Sequence, residues 1–253
     1  MKLARALTCE LLGTAFLLAT VVGSGILAHK LDNGLIAVTV LSVAFSTGCV
    51  LFALIATFGE ISCHLNPAVT LSSAIRKEFP WRHAGPYIAT QIVGAILGVV
   101  VANLMFELPA LSWSETARTG WGQWLGEFVA TFGLLAVIFG AGKHRPESAP
   151  QAIAAYVAGA IWFTSSTCFA NPAVTIARIF TGTITGIRAT DVPGFVLAQL
   201  AAAALACVVF SWLFGRADDD SEKGECVEAE KNGRAQVEAD RAHQNRELVS
   251  TRR

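Results

Sequence analysis

The chain of 253 residues is 53% hydrophobic and 15% charged, with a mean hydropathy of +0.52 and no net charge. These values exclude an ordinary soluble domain, because the apolar stretches are longer and more frequent than a single core can bury. The composition is that of a polytopic membrane protein in a lipid bilayer, and we expect no nucleic acid partner.

Six apolar segments predict six transmembrane helices, since about 20 residues cross a hydrocarbon core of about 30 Å. They cover residues 4–28, 35–58, 84–106, 122–142, 150–168 and 192–215. Lys2 and Arg5 precede the apolar run of the first segment, as in a signal peptide. Glu10 within it recurs with its surroundings in the fourth segment, so we assign the stretch to the mature architecture.

Residues 216–253 hold almost half of the charged side chains, few aromatic residues and no apolar period. This composition predicts a solvated tail that is disordered or loosely helical. A role for the tail in binding a partner is left open.

Lys and Arg residues near the spans predict the orientation. If the spans alternate, most fall on the side of the termini: Lys2, Arg5, Arg76, Lys77, Arg82, Lys143, Arg145 and those of the tail. The opposite loops carry Lys30, Arg118 and Arg188. We expect a multi-pass protein of the inner (plasma) membrane with cytoplasmic N- and C-termini.

The six cysteines have no metal-ligand spacing and lie mostly within spans. Cysteine in an apolar segment usually packs as a small hydrophobe. We expect no disulfide framework, no metal site and no cofactor.

The same five residues, Asn-Pro-Ala-Val-Thr, occur at 66–70 and at 171–175. The duplication extends to the start of the first and fourth spans, where Glu10-Leu-Leu-Gly-Thr14 matches Glu127-Phe-Val-Ala-Thr131. Gln91 and Gln199 likewise correspond in the third and sixth spans.

Each half of the chain, at about 1–110 and 120–215, therefore contains three spans and one short motif. An odd number of spans per half forces the halves into opposite orientations, which gives an inverted repeat.

Each Asn-Pro-Ala motif precedes a helix that is too short to span. After Asn66 only about ten helix-compatible residues precede Arg76, and they would rise about 15 Å. Proline suits the first position of a helix. We predict re-entrant half-helices from Pro67 and, from the opposite face, from Pro172 to about Phe180.

Non-helical backbone at membrane depth is tolerated only where it is buried in protein or lines a water-filled cavity. The half-helices should meet at a pore, with their positive dipole ends and the carboxamides of Asn66 and Asn171 facing it. Either Asn could serve only as a helix cap, although capping and pore lining are compatible. The arrangement repels cations and predicts a channel for neutral solutes.

These paired motifs, with the matching Glu and Gln residues, resemble the aquaporins, the major intrinsic protein family of water and glycerol channels. The resemblance covers a channel domain of residues 1–215. It implies an all-α membrane fold, a right-handed bundle of six transmembrane helices plus two re-entrant half-helices, and a homotetramer that transports passively and is not an enzyme.

The resemblance also implies roles for individual residues. The pore motifs are Asn66, Pro67, Ala68, Asn171, Pro172 and Ala173. The intramembrane Glu10 and Glu127 could by default relay protons, whereas in aquaporins such residues accept hydrogen bonds from the re-entrant loops. We therefore expect structural polar roles for Glu10, Glu127, Gln91 and Gln199.

The outer constriction of aquaporins has four positions, one of them an Arg directly after the second Asn-Pro-Ala. Val174 stands there instead, which removes five hydrogen-bond donors and a charge and predicts a wider, less polar mouth. The other filter positions map to Thr47 (or Ser46), to Gly159 within the range 159–161, and to Cys168.

Two further residues bear on the outer mouth. Arg178 lies one helical turn beyond Val174, and it either reaches lipid headgroups or places a displaced charge at the outer vestibule. Cys63 and Cys168 each precede their Asn by three residues. Some family members are blocked by mercurials at the position of Cys168, so we expect that thiol to face the pore, while Cys63 could equally be core.

An aquaporin with Val174 and the run from Asn171 to Arg178 resembles the bacterial branch that is linked to arsenic handling. We expect neutral metalloid hydroxides such as arsenite to pass, with methylated arsenicals as further candidates, alongside glycerol or water. The alternatives are a strict water channel, a secondary transporter with inverted repeats, or a non-conducting junctional protein.

Overall fold

The structure, a computed structural model, describes residues 2–215, and these are helical with no β-strand. Five of their helices are long and apolar enough to cross a membrane. They are α1 (Lys2–Leu31), α2 (Ile36–Phe58), α4 (Trp81–Met105), α5 (Trp121–His144) and α8 (Val192–Phe214). The predicted charged tail from residue 216, with Cys226, lies outside the described residues.

The remaining predicted span corresponds to α6 (Ala149–Phe163), which has 15 residues and follows a 3-10 turn. We predicted this span to run to residue 168, and that limit is wrong by five residues. The helix ends at Phe163 because the following backbone turns away, and residues 167, 168 and 170 have positive φ.

Two short helices begin at the predicted prolines, α3 (Pro67–Ile75) and α7 (Pro172–Ala177). In both, the preceding Asn is extended and its side-chain oxygen caps the helix, since Asn66 Oδ1 accepts a hydrogen bond from the Ala68 amide at 2.9 Å. The second helix is shorter than predicted, because the chain tightens into a 3-10 turn over Arg178–Phe180.

The helices pack as two similar halves. In the first half α1 packs against α4, and in the second half α5 packs against α8, while α2 and α6 join the halves. Gly94 and Gly98 of α4 face the carbonyl oxygens of Leu11 and Ala15 on α1. A side chain at either glycine would collide with that backbone, and small residues at such positions let membrane helices approach closely.

Large apolar side chains remain exposed along the outer faces of the helices. Tryptophans are exposed among them, including Trp81, Trp121 and Trp212 near helix ends. An apolar exterior with aromatic residues toward the ends of the spans is the pattern of a protein surrounded by lipid.

Candidate functional site

Glu10 of α1 is fully buried and holds the segment that leads into α3. One carboxylate oxygen accepts hydrogen bonds from the amide of His64 at 2.8 Å and the hydroxyl of Ser62 at 2.6 Å. The other accepts from the amide of Leu65 at 2.7 Å and from Gln91 Nε2 at 2.8 Å. The carboxylate thus satisfies backbone donors that would otherwise be unpaired at membrane depth.

Glu127 of α5 does the same for the segment that leads into α7. It is fully buried and accepts from the amides of Phe169 and Ala170 at 2.9 and 2.8 Å, and from Gln199 Nε2 at 2.5 Å. Leu65 and Ala170, which immediately precede the two Asn residues, have φ of 51° and 46°. This left-handed conformation is uncommon for residues other than glycine, and the carboxylates hold it in place.

The two Asn side chains reach across to the opposite half. Asn66 Nδ2 donates to the carbonyl of Ala170, and Asn171 Nδ2 donates to the carbonyl of Leu65, both at 2.7 Å. A carboxamide carries two N–H groups, so each Asn keeps one donor beyond this mutual brace. The residues that Glu10 and Glu127 position are therefore the residues that receive the Asn amides.

A cavity of about 450 Å³ runs past both Asn residues. Its wall combines long apolar side chains with a few polar groups from the re-entrant segments. Among the residues singled out in the sequence, the cavity is lined by Thr47, Cys63, Asn66, Cys168, Asn171, Val174 and Arg178.

Gly159 does not line the cavity, and placing it there was wrong. The residues of α6 in the wall are Ile153, Val157 and Ile161, and intervals of four place them on one face of the helix. Gly159 lies off that face, is exposed, and has open space around the position of a Cβ atom. Ile161, the other end of the predicted range, occupies the wall instead.

Arg178 is buried, with 4% of its surface exposed, and lies in the cavity wall. Its guanidinium carbon is 3.5 Å from the centroid of the Phe169 ring, and its Nε donates to the carbonyl of Thr185. We call the end of the cavity formed by Arg178, Thr185 and Ile184 the outer mouth, since it faces away from the N-terminal side of the bundle.

Arg118 also lines the cavity at the outer mouth, although the sequence marked it only as a loop cation. Its Nε donates to the carbonyl of Gly186 at 2.8 Å and Nη2 to the carbonyl of Ile184 at 3.0 Å. Burial lowers its pKa to about 10, with Glu127 opposing, so the side chain is protonated at neutral pH. No spacing pattern could have found this residue, because its partners are 66 and 68 residues away.

The model of the Major intrinsic protein family matches residues 1–170, well over half of the chain. The chain belongs to the major intrinsic protein family. Members of this family are membrane channels and not enzymes, so the cavity between the two half-helices is the feature that fits this function.

Similar proteins include aquaglyceroporin AqpS of Rhizobium meliloti (strain 1021), which is 44% identical over 214 residues, or 83% of this chain and 91% of that protein. Aquaporin NIP6-1 of Arabidopsis thaliana is 34% identical over 140 residues, which cover 54% of this chain and 45% of that protein. The X-ray structure of the aquaglyceroporin from Plasmodium falciparum has the same fold, with a TM-score of 0.64 at 21% identity over 85% of this chain and 96% of that one.

The position of Cys168 in this major intrinsic protein gives a direct test of access to the cavity. We expect a mercurial to inhibit solute flux in the wild type, because a metal bound to a wall thiol narrows the passage. Cys168→Ser should abolish that inhibition in proteoliposomes, while Cys49→Ser, which removes an exposed thiol away from the cavity, should leave it intact. Cys63 also lines the cavity, and the Cys63→Ser channel should remain sensitive. Inhibition that persists in Cys168→Ser and is lost in Cys63→Ser would contradict the prediction and identify Cys63 as the sensitive thiol.

Proposed function

We propose that this protein is a passive channel for small uncharged solutes that include glycerol, water and neutral metalloid hydroxides such as arsenite. The observation that carries the proposal is Val174, which lies in the cavity wall where the family resemblance implies an Arg. A valine offers no hydrogen-bond donor and no charge, and it is several atoms shorter than arginine.

The neighbours of Val174 support a permissive constriction. Thr47, Ile161 and Cys168 stand in the same wall, and none of them is aromatic or a histidine. The filter residues we assign are therefore Thr47, Cys168 and Val174, with Ile161 in place of Gly159.

The chemistry of the wall fits a polyol. Apolar side chains of α2, α5 and α6 face the hydrocarbon side of a solute, while Asn66 and Asn171 present amide donors to its hydroxyl groups. Trivalent arsenic in neutral water is an uncharged trihydroxy species, so a path that accepts glycerol needs no further chemistry to accept arsenite. Methylated arsenicals are candidates for the same reason.

Val174→Arg is the decisive variant. We expect it to lower glycerol and arsenite flux relative to water flux by at least about tenfold, because a guanidinium narrows the mouth and holds its donors toward the bore. Stopped-flow measurement of all three solutes in proteoliposomes gives the ratios.

Val174→Leu is the matched control, since it adds volume without charge or donors and should change the ratios much less. A wild type that conducts water alone would favour the strict water channel instead. Uptake of a solute against its gradient, driven by a proton gradient, would favour a secondary transporter, since a channel only equilibrates.

Arg178 is assigned to the outer vestibule. Its burial and its contact with Phe169 support a charge beside the bore rather than among lipid headgroups. We expect Arg178→Ala to change the ratio of glycerol to arsenite flux severalfold or to admit cations, measured in the same liposomes. Unchanged flux of every solute and no cation leak would leave Arg178 with a packing role only.

The resemblance further supports a homotetramer in the plasma membrane with one pore in each subunit. The distribution of Lys and Arg supports cytoplasmic termini and therefore an outer mouth on the external side.

A further inference from the structure

We propose that Arg118 is a specificity-determining residue of the outer mouth, where it supplies the fixed positive charge that Val174 does not. This inference rests on the proposed function for its setting, a path for neutral solutes. In this proposal Arg118, which lies in the α4–α5 connection, excludes cations from the path of the neutral solutes.

The connection that carries Arg118 is fastened to the re-entrant half-helix region. Ser114 donates from its amide to the carbonyl of Ile179 at 2.9 Å, and the Arg188 amide donates to the carbonyl of Thr116 at 2.8 Å. The Arg118 amide itself donates to Asp191 Oδ2 at 2.8 Å. The backbone of Arg118 is thus fixed before its side chain enters the mouth.

The side chain is then held over the cavity. Besides the bonds to Gly186 and Ile184, its Nη1 lies 3.4 Å from the carbonyl of Ser166 and from Thr167 Oγ1. A guanidinium has five N–H groups, and the second N–H of Nη2 has no acceptor among these. The group therefore keeps at least one N–H that these acceptors do not use, and it lies in the cavity wall.

Phe169 brings the two cations of the mouth together. The guanidinium carbon of Arg118 lies 5.0 Å from the centroid of this ring, and that of Arg178 lies 3.5 Å from it. The terminal amino groups of Arg178 have no hydrogen-bond acceptor among the described residues. Phe169 itself lines the cavity, so both guanidinium groups lie beside the same wall residue.

Neither guanidinium group is ion-paired, since within residues 2–215 no carboxylate oxygen forms an ion pair with Arg118 or Arg178. Glu127, the carboxylate whose charge acts on both, is engaged by the amides of Phe169 and Ala170 and by Gln199. Asp191 is engaged by the Arg118 amide and by Arg188 Nη2 at 3.1 Å. Two guanidinium groups without an ion-pair partner beside a largely apolar passage raise the energy of a cation there more than they would in water.

Two solutes of matched shape separate the effect of a solute's charge from the effect of its size. Urea and guanidinium are planar and nearly equal in size, and only guanidinium is positively charged at every pH of the experiment. We compare the ratio of guanidinium to urea flux in proteoliposomes, which corrects for the amount of active channel. Guanidinium flux per reconstituted protein is recorded as well.

We expect Arg118→Gln to raise the ratio at least about tenfold, because Gln still donates to the carbonyls but carries no charge. Arg118→Lys, which keeps the charge, should stay near the wild-type ratio. Lys30→Ala removes a cation from the same side of the bundle that packs on Phe106 and does not line the cavity, so it should change nothing.

A second variant tests whether misfolding, rather than the loss of charge, explains a higher ratio of guanidinium to urea flux. In Arg118→His the charge can be switched within one preparation, since the ordinary pKa of histidine is about 6.5. The burial that lowers the pKa of Arg118 also lowers the pKa of a histidine at this position, so the ratio is compared at pH 4 and pH 8. It should be low at pH 4 and rise at pH 8, while the wild type, whose Arg118 is charged at both values, should keep a low ratio throughout.

The proposal is overturned if Arg118→Gln has the wild-type ratio, if Arg118→Lys leaks as much as Arg118→Gln, or if Arg118→His has a higher ratio at pH 4 than at pH 8. Absence of urea, glycerol and arsenite flux in the wild type would contradict the proposed function. In that case guanidinium flux per protein still tests Arg118, with the same comparison between Gln and Lys.

Discussion

Two buried carboxylates determine how the rest of this structure is arranged. Glu10 and Glu127 each meet the amides of two successive residues in a re-entrant segment, together with the side-chain amide of Gln91 or Gln199. A carboxylate or a backbone amide without a partner at this depth is costly. When the carboxylates and amides are paired, they fix the left-handed backbone of Leu65 and Ala170, which precede the two Asn residues. The carbonyl of each then accepts a hydrogen bond from the Asn side chain of the other half.

The two halves are alike at the centre and differ at the mouths. His64 and Phe169 occupy corresponding positions, two residues before each Asn, and both lie in the cavity wall. Val69 and Val174 also correspond and also line the cavity. Selectivity in this account arises at the outer end, where Val174 leaves room and two arginines contact the Phe169 ring, Arg178 from the end of α7 and Arg118 from the α4–α5 connection.

Local patterns predicted most of the fold. Long apolar stretches predicted the spans. Asn-Pro before a short helical stretch predicted both half-helices, because helix capping and the fixed backbone of proline depend only on residues close in sequence. The predicted end of α6 and the predicted place of Gly159 in the wall were wrong. On a helix, an error of one or two residues moves a position from the face that lines the cavity to the exterior. Arg118 could not be predicted, because its placement depends on contacts between distant loops.

The central claim is that the two carboxylates hold the re-entrant segments in place. The most direct test is the thermal unfolding temperature of Glu127→Gln against the wild type. Its carboxamide would point a donor at one of the two amides that now donate to Glu127, which should lower the unfolding temperature by at least about 4 °C. A Glu127→Gln channel that unfolds at the wild-type temperature would contradict the claim.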